Sequence, residues 1–173
     1  MKNLFKARWM TSLIFLIALF VITGIAGRLG FSVISVEKAM MNGEVGFGRK
    51  VLQAVEEFGL SFEHMPTGID TMCVVLSTAE LEPVKEQLTR RIWETTTPDT
   101  LTIHDNMGII ATVGRGMVHN PGTAARLFTA LSRYHINVRM IDQGSSELSI
   151  LVGVDSGEFQ QAILAIYDEF VSE

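Results

Sequence analysis

At 173 residues the chain has room for one or two small domains, and its 47% hydrophobic content is ample for a core. A net charge of −5 argues against nucleic acid as a partner. The single cysteine, Cys73, excludes an internal disulfide and suits a reducing compartment.

In chain order, the first feature is an uncharged run over residues 9–27, preceded by Lys2, Lys6 and Arg8 and closed by Arg28. Its length fits a transmembrane helix or an uncleaved signal anchor, with the basic flank holding the N-terminus in the cytoplasm. A second reading splits the run. Val21, Ile22, Thr23 and Ile25 favour a strand over 21–26, which Gly24 and Gly27 weaken, and residues 1–19 become an apolar extension.

Residues 31–37 then read as a strand. A loop over 41–46 follows, and Val51, Leu52, Val55 and Phe58 recur at helical spacing until Gly59 ends the helix. Residues 60–65 predict a strand, Pro66-Thr67-Gly68 a turn, and 72–76 an apolar return strand in which Cys73 is a core thiol. Leu81, Val84, Leu88 and Ile92 mark a second helix, and 101–103 a short strand. Residues 107–113 open another strand. Ala124, Leu127, Phe128, Leu131 and Tyr134 give a helix, with Pro121 and Gly122 at its start and Asn120 as its predicted N-cap. Val138, Met140 and Ile141 precede a turn assigned to Gly144 with positive φ, and Leu148, Ile150 and Val152 alternate after it. Phe159, Ala162, Ile163, Ile166 and Phe170 form the last helix.

The second half repeats the first. A shift of 76 residues lays 31–37 on 107–113, Met41 on Met117, Gly46 on Gly122, Ala54 on Ala130 and Gly68 on Gly144. The repeated unit is β-α-β-β-α-β, which places the chain in the α+β class with a four-stranded antiparallel sheet and two helices per unit. The second unit has no fourth strand downstream of its last helix. The 21–26 segment supplies one, and the first unit is then nested inside the second.

Two motifs carry a family resemblance. Asn137-Val138-Arg139-Met140-Ile141 with Gln143-Gly144-Ser145-Ser146-Glu147 is similar to the second ACT module of aspartokinases. Met41-Asn42-Gly43-Glu44-Val45-Gly46-Phe47-Gly48 is similar to the effector loop of the first. The resemblance runs from about residue 20 to the end and covers only the regulatory part of such an enzyme. It implies tandem ACT (ferredoxin-like) modules. The expected divisions are an extension at 1–19, a completing strand at 20–28, a first module at 29–105 and a second at 106–173.

No catalytic constellation accompanies the motifs. There is no phosphate-binding loop of the Gly-x-x-x-x-Gly-Lys-Ser/Thr kind and no nucleotide motif of the aspartokinase catalytic domain. Gly114-Arg115-Gly116 reads as a strand-to-loop turn, and His64, His104, His119 and His135 lack metal-ligand spacing. No cofactor and no metal are expected. Binding is better founded: a helix start after Gly46 offers unpaired N–H groups to a carboxylate. Glu44, Glu63 and Asp70 are acceptors for ammonium groups. The alternative for the glycines is a turn with helix packing, and for the acids a solvated strand end.

The resemblance implies an amino-acid effector held between two first modules of a homodimer, by Met41, Glu44, Gly46, Phe47, Gly48, Glu63, Thr67, Gly68, Ile69 and Asp70. Glu63 stands where an Asp is frequent, and Glu44 where lysine-sensitive relatives can have Ser, so lysine, threonine and both together stay open. The expected role is the sensing region or small subunit of a cytoplasmic aspartokinase, assembling with a full-length subunit. The competing reading is a membrane-tethered ACT sensor with a different client.

Overall fold

A computed structural model describes residues 21–171. The strands are β1 (Gly24–Glu37), β2 (Phe62–His64), β3 (Thr71–Ser77), β4 (Thr100–Val113), β5 (Met140–Asp142) and β6 (Ser149–Asp155). The long helices are α1 (Phe47–Glu57), α2 (Lys85–Thr96), α3 (Thr123–Arg133) and α4 (Phe159–Phe170). Among the described residues no helix is long and apolar enough to cross a membrane. The later part of the uncharged run is extended: Thr23 donates its N–H to the Val113 carbonyl at 2.7 Å, and β1 begins at Gly24. Residues 1–19 and Phe20 lie outside the described part.

The chain divides into two compact units. One is contiguous, Arg28–Ile109, and the other combines the segment ending at Gly27 with the chain from Ile110 onward. In the contiguous unit the strand order is β2-β3-β1-β4. β1 pairs antiparallel with β3 from Phe31↔Ser77 to Glu37↔Thr71. Ile34, Val36, Val74 and Leu76 bury one sheet face against Val51, Val55, Leu88 and Ile92 of α1 and α2. Pro83 cannot donate into a regular helix. The second helix accordingly starts late, after a helical turn at Thr78–Leu81 and a 3₁₀ turn at Glu82–Val84.

In the other unit the order is β1-β4-β6-β5, with β5 and β6 antiparallel. Ile22, Ile110, Ile150 and Val152 bury against Leu127, Leu131, Ala162 and Ile166 of α3 and α4. The glycines that weaken the first strand on propensity have a packing reason at one position. A Cβ on Gly27 would stand 2.6 Å from the Phe159 ring and 3.1 Å from Ile163. A larger residue there would push α4 off the strand.

Four expectations are corrected. First, the expected strands at 21–26 and 31–37 merge into one that begins only at Gly24, and those at 101–103 and 107–113 are also one strand. Each passes a residue with left-handed backbone, Gly30 (φ 91) and Asn106 (φ 59), rather than ending there. Second, Asn120 does not cap α3. Gly122 occupies the N-cap without a side-chain bond, and the Asn120 amide donates to the Gly116 carbonyl at 2.6 Å. Third, the positive φ of the β5–β6 connection falls on Glu147 and not on Gly144, which opens the turn by accepting the Glu147 N–H at 3.0 Å. Fourth, the 60–65 strand shortens to three residues, because a register shift between Phe62 and His64 interrupts the ladder.

The 76-residue shift reaches further than the apolar pattern shows. Gly30 falls on Asn106, Gly46 on Gly122 and Gly59 on His135, and all six have positive φ. The shift also lays Thr23 on Asp99 and Val113 on Glu37. Thr23 N–H donates to Val113 O just as Asp99 N–H donates to Glu37 O, at 2.9 Å.

Candidate functional site

The predicted effector residues form two groups in the contiguous unit. The first is the connection from β1 to α1. Met41 opens a 3₁₀ turn, Met41–Gly43, with its side chain buried in the core, and Phe47 at the start of α1 is buried beside it. These two residues anchor the connection from below. Gly46 stands at the N-cap with φ 83, a conformation that costs a residue with a Cβ. It carries no side-chain cap: the Phe47 N–H returns to Glu44 O at 3.3 Å, and the next N–H groups of the first turn of α1 have no acceptor from a cap side chain. A Cβ on Gly48 would meet the Met72 side chain at ordinary van der Waals separation.

The second group is the turn between β2 and β3. Gly68 N–H donates to Thr71 O at 2.7 Å and Thr67 Oγ1 to Met65 O at 3.1 Å, which closes the turn. Ile69 and Asp70 are exposed. The turn is fastened to the loop by main-chain bonds: Lys38 N–H to Asp70 O at 2.9 Å, and Asn42 N–H to Ile69 O at 3.2 Å. Thus 38–48 and 67–70, separate in sequence, make one continuous surface at the start of α1.

Glu63 is not in that surface. It lies in β2 opposite the Val75–Leu76 part of β3. At about 3.3 Å per residue this is roughly 10 Å or more from the turn, which adjoins Thr71 and Met72. Its Oε1 pairs with Arg28 Nη2 at 3.0 Å, and Arg28 also covers the Phe31 ring at 4.6 Å. Glu44 does lie in the loop, but both its oxygens are engaged, Oε2 by Lys38 Nζ and Oε1 by Lys50 Nζ, each at 2.6 Å. The two ammonium groups, Lys38 first, hold its carboxyl below the usual carboxylate range.

Sequence reasoning missed the basic partners. Lys38 Nζ donates in addition to Thr96 O at 2.7 Å and Thr97 Oγ1 at 3.4 Å. Ala39 N–H donates to Asp99 Oδ2 at 2.7 Å. The available signal was a lone acid in a short loop with a lysine six residues away on each side. Two surface grooves, of about 540 and 720 Å³, lie elsewhere. One is lined by Trp93, Arg90, Leu101 and Ile103, the other by Arg49, Leu52 and Glu56 of α1. Neither includes a residue of the predicted set.

Chemically, the surface offers main-chain donors at a helix start and the Asp70 carboxylate, with Lys38 and Lys50 already engaged by Glu44. That combination suits a small zwitterion held at its carboxylate and ammonium ends.

Residues 110–170 match the ACT domain family. With a β-α-β-β-α-β unit on each side of the repeat, the chain is an ACT-domain protein. It is homologous to the aspartokinases. Aspartokinase 3 of Bacillus subtilis is 42% identical over 150 residues, covering 86% of this chain and 33% of that protein. The crystal structure of aspartate kinase from Clostridium acetobutylicum matches with a TM-score of 0.82 at 47% identity, covering 86% of this chain and 34% of that one. The ligand-free regulatory subunit of aspartate kinase from Thermus thermophilus has a TM-score of 0.72 at 22% identity, covering 87% and 98%, a likeness of fold. The chain spans a third or less of the length of the curated relatives it matches.

Proposed function

We propose that this chain is the amino-acid-sensing regulatory region of an aspartokinase and acts by binding rather than by catalysis. The supporting observation is the junction of the 38–48 loop with the 67–70 turn through Lys38 N–H to Asp70 O and Asn42 N–H to Ile69 O. The ligand is a free aspartate-derived amino acid, lysine or threonine. Its carboxylate is taken by the uncapped start of α1 and its α-ammonium by Asp70 with the carbonyls of the turn. Met41 and Phe47 hold the loop from the core, while Gly46, Gly48, Thr67, Gly68 and Ile69 shape the backbone around the ligand. The working form is a cytoplasmic homodimer assembled through the ACT modules, with a full-length aspartokinase subunit as the client.

Calorimetric titration of the protein with lysine, threonine, methionine and aspartate tests the reading. Binding of lysine or threonine is expected in the micromolar to millimolar range, roughly −4 to −8 kcal/mol. Absence of heat with all four overturns it.

A further inference from the structure

We propose that Glu44 is a positioning residue, a latch that fastens the 38–46 loop to the end of α2 through Lys38, and not a ligand to the effector's ammonium group. The proposal rests on the reading of this loop as the effector loop. It reverses the role that the resemblance assigns to Glu44.

The argument begins with saturation. An ammonium group has three donors. Lys38 Nζ has three acceptors within reach: Glu44 Oε2 at 2.6 Å, Thr96 O at 2.7 Å and Thr97 Oγ1 at 3.4 Å. Lys50 takes the other Glu44 oxygen at 2.6 Å. One carboxylate thus sits between two fixed cations, and the trio carries a net charge of +1. A third ammonium approaching Glu44 meets two like charges within a few ångströms, which disfavours it.

The position of the far anchor adds to this. Thr96 O is a carbonyl at the C-terminus of α2, where the helix dipole is negative and a cation is favoured. Thr97 follows in left-handed backbone (φ 44) and closes the helix with its N–H on Trp93 O at 2.9 Å. Lys38 is therefore fixed at one end by a rigid helix terminus. Glu44 carries that fixation into the loop, and Lys50 returns it to α1.

The other repeat supplies a comparison within the same molecule. The 76-residue shift lays Lys38 on Gly114, Glu44 on Asn120 and Lys50 on Arg126. There Asn120 bonds locally to Gly116 O, and Arg126 reaches Glu169 at 2.8 Å. The latch belongs to the 38–46 loop and is not a requirement of the repeated fold.

The test uses the full chain with Glu44→Gln and Lys38→Met, singly and together, and has two arms. Without ligand, hydrogen exchange of the loop amides of Asn42, Gly43 and Glu44 is expected to rise tenfold or more in each variant. Amides of β3 should be unchanged, which reports an intact fold. Calorimetry should show lysine and threonine weakened by the same factor within threefold in Glu44→Gln, and the double variant no weaker than the worse single. Unchanged loop exchange overturns the latch. So does a tenfold loss for lysine beside unchanged threonine, which would make Glu44 a direct ligand. If the unaltered protein binds neither amino acid, the effector reading falls, while the exchange arm still decides the latch.

Discussion

The backbone of Val21 occupies the place where a Cβ on Gly114 would stand, and Ile22 Cα lies 2.7 Å from that same point. Gly114 has extended backbone, so its smallness, not its conformational freedom, is what the position uses. Gly114→Ala is expected to dislodge the 21–23 segment and expose Ile22, costing about 1–3 kcal/mol by urea unfolding. Gly24→Ala, where nothing lies within 4 Å of the added methyl, is the matched control and should change stability little.

The same contact sets the outcome of N-terminal shortening. A protein beginning at residue 20 keeps Ile22, the Thr23 bond to Val113 and the strand against Phe159. It is expected to unfold cooperatively. One beginning at Gly30 loses all three and leaves an unpaired edge beside apolar side chains, so aggregation or a broadened transition is expected. Equal thermal transitions for the two would show the segment to be dispensable.

His135 and Gly59 perform the same task at the ends of α3 and α1. Each lies one residue past the C-cap in left-handed backbone, φ 57 and 69, and the next N–H returns to the helix, Ile136 to Leu131 O and Leu60 to Val55 O. Only Gly59 does so without a Cβ penalty. His135→Gly is expected to raise stability by up to about 1 kcal/mol, and Gly59→Ala to lower it by about the same amount. Paired denaturant midpoints at constant slope check both.

Asp105 joins β4 to β1 and α2. Its Oδ2 accepts from Lys85 Nζ at 2.7 Å and its Oδ1 from the buried Ser32 hydroxyl at 2.7 Å. Lys85 first, then Ser32, holds the carboxyl below the usual carboxylate range. A depressed carboxyl stabilises the fold fully above its unfolded pKa, and that stability is lost as pH falls through the folded value. The Lys85 ammonium is raised by the same partner, so its share disappears only as pH rises through its own, elevated pKa. Asp105→Asn should cost about 1 kcal/mol at neutral pH, since the pair is partly solvated, and should flatten the acid limb of stability against pH.

Glu63 lies in β2 and pairs with Arg28, outside the surface made by the 38–48 loop and the 67–70 turn. Glu63→Ala is therefore expected to leave lysine and threonine affinities unchanged within threefold, read by calorimetry; a selective loss for lysine would place this carboxylate at the ligand. The pure chain is further expected to form no aspartyl phosphate from ATP and aspartate, measured as hydroxamate.

Much of the architecture was legible because it rests on periodicity. The α1 and α3 faces and the alternation in β6 bury Val51, Val55, Leu127, Leu131, Ile150 and Val152, whereas Tyr134 and Leu148, marked by the same patterns, are exposed. The continuity of β1 and β4 was not legible. Gly30 and Asn106 look like breaks, and only the pairing of both flanks keeps each strand running through them. At the candidate site, the loop and the turn were readable as motifs. The engagement of Glu44 and Glu63 by Lys38, Lys50 and Arg28 was not, because long basic side chains choose partners by tertiary placement.

The bond from Thr23 to Val113 spans 90 positions of chain. During vectorial synthesis the first turns of β1 leave the ribosome long before β4, β6 and α4 exist to cover them. At about 5–20 residues per second the wait for Val113 alone is roughly 5–20 s. The contiguous unit suffers no such delay beyond its own length and can close first. The interleaved order thus makes a nascent chain whose contiguous unit is complete while the 21–27 segment is still unpaired, the species a chaperone would meet.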